Sequence, residues 1–321
     1  MQLQLHIVTP PHLFTHPCLI YCATVLRNPI RRLQTYYHIL QHRRYKNGFS
    51  HHPSPAHIGK QSFKLHCARN EKTKPESTRM TDNTTLLIKP QVAQLFQAIE
   101  KALSSTAIGP NRWYLLVLAA LCGGTEPLLV DQLYLYLINR PDCTQPAARQ
   151  ALVRRLRESL VKLICIVGVC KPIESILAIS KVERPEDRDL SFSREHWKND
   201  EKNHAQAMRW FDKIYARDAE RTLALFDAHQ DFRWISTEIT YGLYLSDRQV
   251  LDDLDTEIVV LVGIMIQNLQ LETHWHIRGT RRIGVSLEDV KKLVGCVKQV
   301  GDFMGTKLDR VPSPDEVEGD V

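Results

Sequence analysis

Glu257 and His276 are the two residues of this chain whose types and surroundings could do proton chemistry. Glu257 lies in DTEIVVLVGI, a run otherwise built largely from Val, Leu and Ile, where a carboxylate is costly to bury unless it is partnered. His276 follows nineteen residues later in LETHWHIRGTRRIGVS, and an imidazole is the side chain best suited to move protons near neutral pH. On one continuous helix the two would lie about 28 Å apart, at about 1.5 Å per residue, and could not cooperate. The chain must therefore reverse between them. Gln267-Asn268 is the place for the reversal, with a new helix beginning near Leu271.

The neighbours of His276 sort by helical geometry. His274 and His276 are two positions apart, about 200° around a helix, so they cannot face one pocket, and a His-x-His metal site with Glu272 is not expected. Arg278, Arg281 and Arg282 could hold a substrate carboxylate, or could form a solvated or interface face. Trp275 reads as core or oligomer contact, with a substrate-facing role as the alternative.

The elements that must position these residues are helical. Pro90 opens a run with Val92, Leu95, Phe96, Ile99 and Leu103 at helical spacing, and Pro suits the first turn. Further helices are expected over Trp113–Cys122, Leu128–Ile138, Pro146–Ile164, Asp200–Ala216, Asp218–His229, Arg248–Asn268 and Leu287–Lys307. No stretch alternates with β-branched enrichment for more than a few residues, so the expected class is all-α. The polar stretch 183–203 reads as a connector between a helical half at 83–182 and a domain at 204–309, and 310–321 as a disordered acidic tail. A faint repeat joins LLVLAALCGG from Leu115 to VVLVGIMIQN from Val259, and RESLVKLICIV from Arg157 to LEDVKKLVGCV from Leu287. In that register Trp113 and Gln132 stand where Glu257 and His276 stand in the second copy, so the first half would be scaffold.

Charge is unevenly spread along the 321 residues. Residues 1–80 carry 12 of the 42 Lys/Arg but only Glu71 and Glu76 of the 36 acidic residues, together with 9 of the 14 histidines. The net charge of +6 therefore belongs to this leader rather than to the mildly acidic body, and no nucleic-acid partner is read from it. The leader, set at 1–82, reads either as a mitochondrial presequence or as a disordered extension upstream of a start at Met80. It should be dispensable for folding. The eight cysteines include no Cys-x-x-Cys pair and suit buried thiols of an intracellular protein, mitochondrial if the leader is a presequence and otherwise cytoplasmic. Nothing reaches the roughly 18 apolar residues of a membrane span, so no membrane partner is expected.

The order YGLYLSDRQVLDDLDTEIVVLVGI … HWHIRGTRRIGVSLEDV resembles the carboxymuconolactone decarboxylase and AhpD-like superfamily. The matching positions are Tyr241-Gly242, Glu257, His276, Gly279, Gly284, Val285, Ser286, Glu288 and Asp289, over about Asp218–Val300 and weakly back to Trp113. The resemblance implies an all-helical AhpD-like fold, assembly as homo-oligomers, no cofactor, and an acid–base pair in which His276 moves the proton and Glu257 orients it. Tyr241, Trp275 and Arg278 then become substrate-contacting positions. The AhpD-like peroxidases carry a Cys-x-x-Cys ahead of the histidine, but here those positions are Leu269 and Glu272. Cys165 and Cys170, about 140° apart on a helix, do not replace it, so thiol peroxidase activity is not expected. Two readings follow. One is a decarboxylase-like lyase or isomerase acting on a small organic acid. The other is a non-catalytic helical homo-oligomer serving as a binding or assembly module.

Overall fold

A computed structural model describes residues 88–321. The leader at 1–82, whether presequence or extension, lies outside the described residues. Every regular element among the described residues is helical, as the sequence pattern requires. The chain runs α1 (Pro90–Leu103), α2 (Trp113–Gly123), α3 (Val130–Ile138), α4 (Pro146–Val167) and α5 (Cys170–Val182). After a strap it continues as α6 (Glu201–Tyr215), α7 (Ala219–Ala224) and α8 (Gln230–Trp234), which leads into a π-helix at Ile235–Leu245. The last elements are α9 (Asp253–Met265), α10 (Gln270–Arg282), α11 (Leu287–Phe303) and the short α12 (Pro314–Glu318).

Two helices without an apolar face, because they are apolar all round, sit at the centre. Every residue of α2 is buried, and in α9 everything from Asp255 to Met265 is buried. They pack on each other, α4 lies against α9, and α11 lies against α2. Close approach is permitted at Gly263, where a Cβ would stand 2.6 Å from the Leu163 side chain. One apolar core takes Ile258, Val259, Leu261 and Val262 of α9 together with α1, α2, α3, α4 and α11. A second core takes Val260 and Ile264 of the same helix with α6 and the π-helix. Thus α9 is the wall between two cores, and it is the helix that carries Glu257.

The sequence expectations are corrected at two places and sharpened at a third, the connector 183–203. Residues 310–321 are not a loose tail, for α12 docks on α10 and α11, buries Val317 completely, and ties Arg281 to Glu318 through two bonds of 2.8 and 2.6 Å. The stretch 183–203 is a pinned strap: Asp187 is buried against Arg149 at 2.7 Å, and Asp189 bonds Arg154 at 2.6 Å. The run expected as one helix over Arg248–Asn268 starts late, because Asp252 caps α9 by accepting from Asp255 N at 2.8 Å while Asp255 reaches back to Asp252 N. The capping aspartates are in turn held by Arg112, with Asp252 at 2.7 Å and Asp255 at 2.8 Å.

Candidate functional site

The reversal between α9 and α10 brings Glu257 and His276 together. Asn268 takes φ +59°, a left-handed conformation that Asn tolerates, and its amide accepts from Arg310 N while donating to Asp309 at 2.9 Å each. His276 Nδ1 then lies 2.9 Å from Glu257 Oε1, with the carboxylate fully buried and the imidazole 5% exposed. Thr280 Oγ1 stands 3.4 Å from the same oxygen, but its hydrogen goes to the His276 carbonyl at 2.7 Å. The histidine is therefore the carboxylate's one close donor. Glu257 Oε2 is buried with no hydrogen-bond partner among the described residues. With Nδ1–H donating to Glu257, His276 Nε2 remains unpaired among the described residues, and the imidazole lines a cavity of about 190 Å³.

The shared motif residues divide into chemistry and architecture. Gly279 lets α10 approach α6, since a Cβ there would stand 2.7 Å from Ile214 Cγ2 and 3.5 Å from Glu257 Oε1. Gly284, at φ +100°, ends α10 in a Schellman turn in which Val285 N donates to Thr280 O and Gly284 N donates to Arg281 O. Val285 enters the core, and Ser286 caps α11 by accepting from Asp289 N at 3.1 Å. The Asp289 carboxylate meanwhile accepts from Ala107 N at 3.0 Å, joining α11 to the loop after α1. Of that pattern Glu257 and His276 are brought together as a pair, while Gly279, Gly284, Val285, Ser286 and Asp289 build the helix–turn–helix that holds them.

The cavity's other walls come from α6 and the π-helix. Tyr241 lines it, and its hydroxyl donates to Tyr215 Oη at 3.1 Å. That leaves the Tyr215 hydrogen free for an acceptor. Burial pushes the Tyr215 phenol up to about 12 and raises Tyr241 well above its usual value, so both are neutral donors at physiological pH. Tyr215 was not legible as a site residue. It sits on the apolar stripe of α6 with Phe211 and Ile214, where sequence alone reads core. The π-helix was missed as well. Its carboxyl end is held by Lys162, a fully buried lysine donating to the carbonyls of Tyr244, Leu245 and Asp247 at 3.3, 3.2 and 2.9 Å. Burial lowers Lys162 to about 8.

The remaining predicted positions fall out as follows. Trp275 is half-buried, stacks edge-on to Tyr215 with centroids 6.1 Å apart, and lines the cavity. His274 turns away from His276 to pair with Asp320 at 3.0 Å. Arg278 does not line the inner cavity. It is 8% exposed, pairs with Asp218 at 3.3 Å, and borders a larger basin of about 790 Å³ on the other side of Trp275. Arg281 and Arg282 are not a free solvated face, because Arg281 holds Glu318 and Arg282 holds Asp218 at 2.7 Å. Among the described residues no group of three or more His, Cys, Asp and Glu could hold a metal ion. Burial pushes the Cys165 thiol up to about 12, the opposite of what an attacking thiolate requires.

No helix among the described residues is long and apolar enough to cross a membrane. No family model matches the chain, and no solved structure matches it. Among curated proteins the chain is similar to peroxisomal protein 2 of Schizosaccharomyces pombe (strain 972 / ATCC 24843), at 25% identity over 205 residues that cover 56% of this chain and 91% of that protein.

Proposed function

We propose that this chain is a cofactor-free acid–base enzyme of the carboxymuconolactone decarboxylase-like kind, acting on a small organic acid by decarboxylation or isomerisation. One observation carries the reading: a buried carboxylate whose close donor is a histidine, with that histidine opening onto a small cavity. In isomerisation His276 Nε2 takes a proton from one substrate carbon and returns it to another; in decarboxylation the C–C bond breaks as CO2 leaves, and Nε2–H gives a proton to the carbanion left behind and is reprotonated from solvent. Glu257 fixes the tautomer through Nδ1–H and stabilises the imidazolium that forms in between. A positioned acid–base group of this type is worth roughly 10²–10⁴ in rate. The Tyr215 hydroxyl, freed by the donation from Tyr241, is placed to donate to a carbonyl oxygen of the substrate in the cavity. The packing of α4 on α9 and of α11 on α2 supports two degenerate copies of one unit. In the first copy Trp113 is wholly buried among aromatic rings and Gln132 accepts from Lys89 N, which fits a scaffold half.

The test is a thermal-shift screen of small organic acids on the full chain, followed by turnover measured by NMR. Ligands should stabilise wild type and His276→Gln alike, and only wild type should convert them. Conversion at an undiminished rate by His276→Gln would sink the acid–base reading.

The homo-oligomer reading draws on a surface other than α11. The apolar positions of α11 are spent inside the chain on Val290, Leu293, Val297 and Val300. Surplus apolar surface lies instead at Phe232, Trp234 and Ile235, which are 64%, 52% and 45% exposed in one short stretch. Self-association through that stretch yields a dimer or trimer, and light scattering reads it: a particle of single-chain mass at micromolar concentration refutes it. For location, the relative's name supports a peroxisomal destination and the basic leader supports a mitochondrial one. Imaging of the full chain with organelle markers decides between these and the cytoplasm.

A further inference from the structure

The inner cavity and the outer basin adjoin, sharing Thr222 and Trp275 as lining, but their charges are opposite in kind. The inner cavity has no Lys or Arg in its lining, and its ionisable groups are His276, Glu272, Tyr215 and Tyr241. An anionic group placed there would face the Glu272 carboxylate with no cation to meet it. The basin is lined by Arg217, Arg221, Arg278 and Arg310 against two carboxylates, Asp218 and Asp320, which leaves two positive charges uncompensated.

Arg278 is the built part of that basin. Its side chain is about nine-tenths buried, its Nε is buried with no hydrogen-bond partner among the described residues, and its one ion-pair contact among them is Asp218 at 3.3 Å. Asp218 is itself shared, since Arg282 holds the same oxygen at 2.7 Å. A guanidinium taken out of water without hydrogen bonds is costly unless a ligand supplies acceptors. Arg221 and Arg310 are exposed at the rim, and neither side chain has an ion-pair or hydrogen-bond partner among the described residues.

We infer that the substrate is a two-part molecule: a head of at least two negative charges, of the phosphate class, sits in the arginine basin, and a small neutral end passes Trp275 into the cavity beside His276. This deepens the acid–base reading in its isomerisation form, since a neutral inner end carries no carboxylate to lose, and it rests on that reading for the role of the inner end alone. Guanidinium forks suit phosphate oxygens, and two uncompensated charges match a phosphate better than a single carboxylate. The neutral end must be small, because about 190 Å³ is the space of roughly six liquid waters.

Calorimetric titration of the full chain tests the head and the end separately, without reading turnover. Inorganic pyrophosphate should bind wild type, and binding should weaken at least tenfold in Arg221→Gln/Arg310→Gln, whose sites are exposed and tolerant of substitution. Arg278→Gln should weaken it at least as much, while His276→Gln should stay within twofold. n-Butyl phosphate should bind at least fivefold tighter than inorganic phosphate, and Thr240→Leu, which fills the inner cavity, should remove that gain. Undetectable pyrophosphate binding, or binding unchanged in the rim double variant, overturns the head site. Equal affinities for butyl phosphate and phosphate overturn the passage into the cavity. Failure of the acid–base reading would instead show as turnover surviving in His276→Gln, which none of these titrations measures.

Discussion

Removing His276 and Glu257 together should stabilise this protein or leave it unchanged, whereas removing His276 alone should damage it severely. Glu257 is fully buried, its Oε1 has the histidine as its close donor at 2.9 Å, and Oε2 has no partner among the described residues. In His276→Leu the carboxylate stays buried without a donor, a loss of about 3–5 kcal/mol. For a body of this size, that lowers Tm by roughly 10 °C, at about 2–4 °C per kcal/mol. In Glu257→Leu the imidazole loses one bond but keeps its opening to the cavity, so the cost is smaller, about 1–3 kcal/mol. In Glu257→Leu/His276→Leu two side chains of similar volume fill the site with no charge to desolvate, an exchange that is often neutral or stabilising by about 1–4 kcal/mol. The coupling energy from urea unfolding of the four proteins should therefore be at least about 4 kcal/mol, above the usual range of roughly 0.5–3 kcal/mol for contacting residues. Such a pair sacrifices stability for chemistry. Additive losses, with the double variant the least stable of the four, would refute the reasoning and make the pair structural support.

Other perturbations follow from the same contacts. Gly279→Ala should lose about 1 kcal/mol net, because overpacking against Ile214 costs roughly 1–3 kcal/mol and the alanine recovers about 1 kcal/mol of helix propensity, and any turnover should fall further as α10 is pushed from α6. Lys162 is lowered from 10.5 to about 8 in the fold, so the unfolded chain binds the extra proton between those values and stability should rise as pH climbs from 8 toward 10. The rise is on the order of 3 kcal/mol. Lys162→Met should abolish it in pH-dependent unfolding, and a rise that persists in the variant would assign it elsewhere. Val317→Ala should cost about 2 kcal/mol because α12 buries that side chain completely. A change below a few tenths in denaturant unfolding would mean the segment is not docked in solution. Tyr215→Phe should slow conversion of any substrate without altering pyrophosphate affinity, since the hydroxyl faces the inner cavity and not the basin.

The sequence by itself determined the helices and the pair at their junction. Apolar spacing in α1, the prolines opening α1 and α4, and the Gln267-Asn268 break are local signals, and local sterics enforce them whatever surrounds them. The nineteen-residue interval between Glu257 and His276 was informative because helix rise makes it useless without a reversal, and one reversal signal lay between them. What the sequence left open depended on partners distant along the chain. Residues 310–321 look like a disordered tail by composition, yet Arg281 and a fully buried Val317 fix them, and composition carries no record of a contact 37 residues away. Tyr215 reads as core because it is core, and only the placement of Tyr241 against it frees its hydrogen for the cavity. The three arginines of α10 are indistinguishable in sequence. Tertiary packing alone gave Arg281 and Arg282 several carboxylate and carbonyl acceptors each and left Arg278 buried beside an open basin, with its Nε unpaired among the described residues.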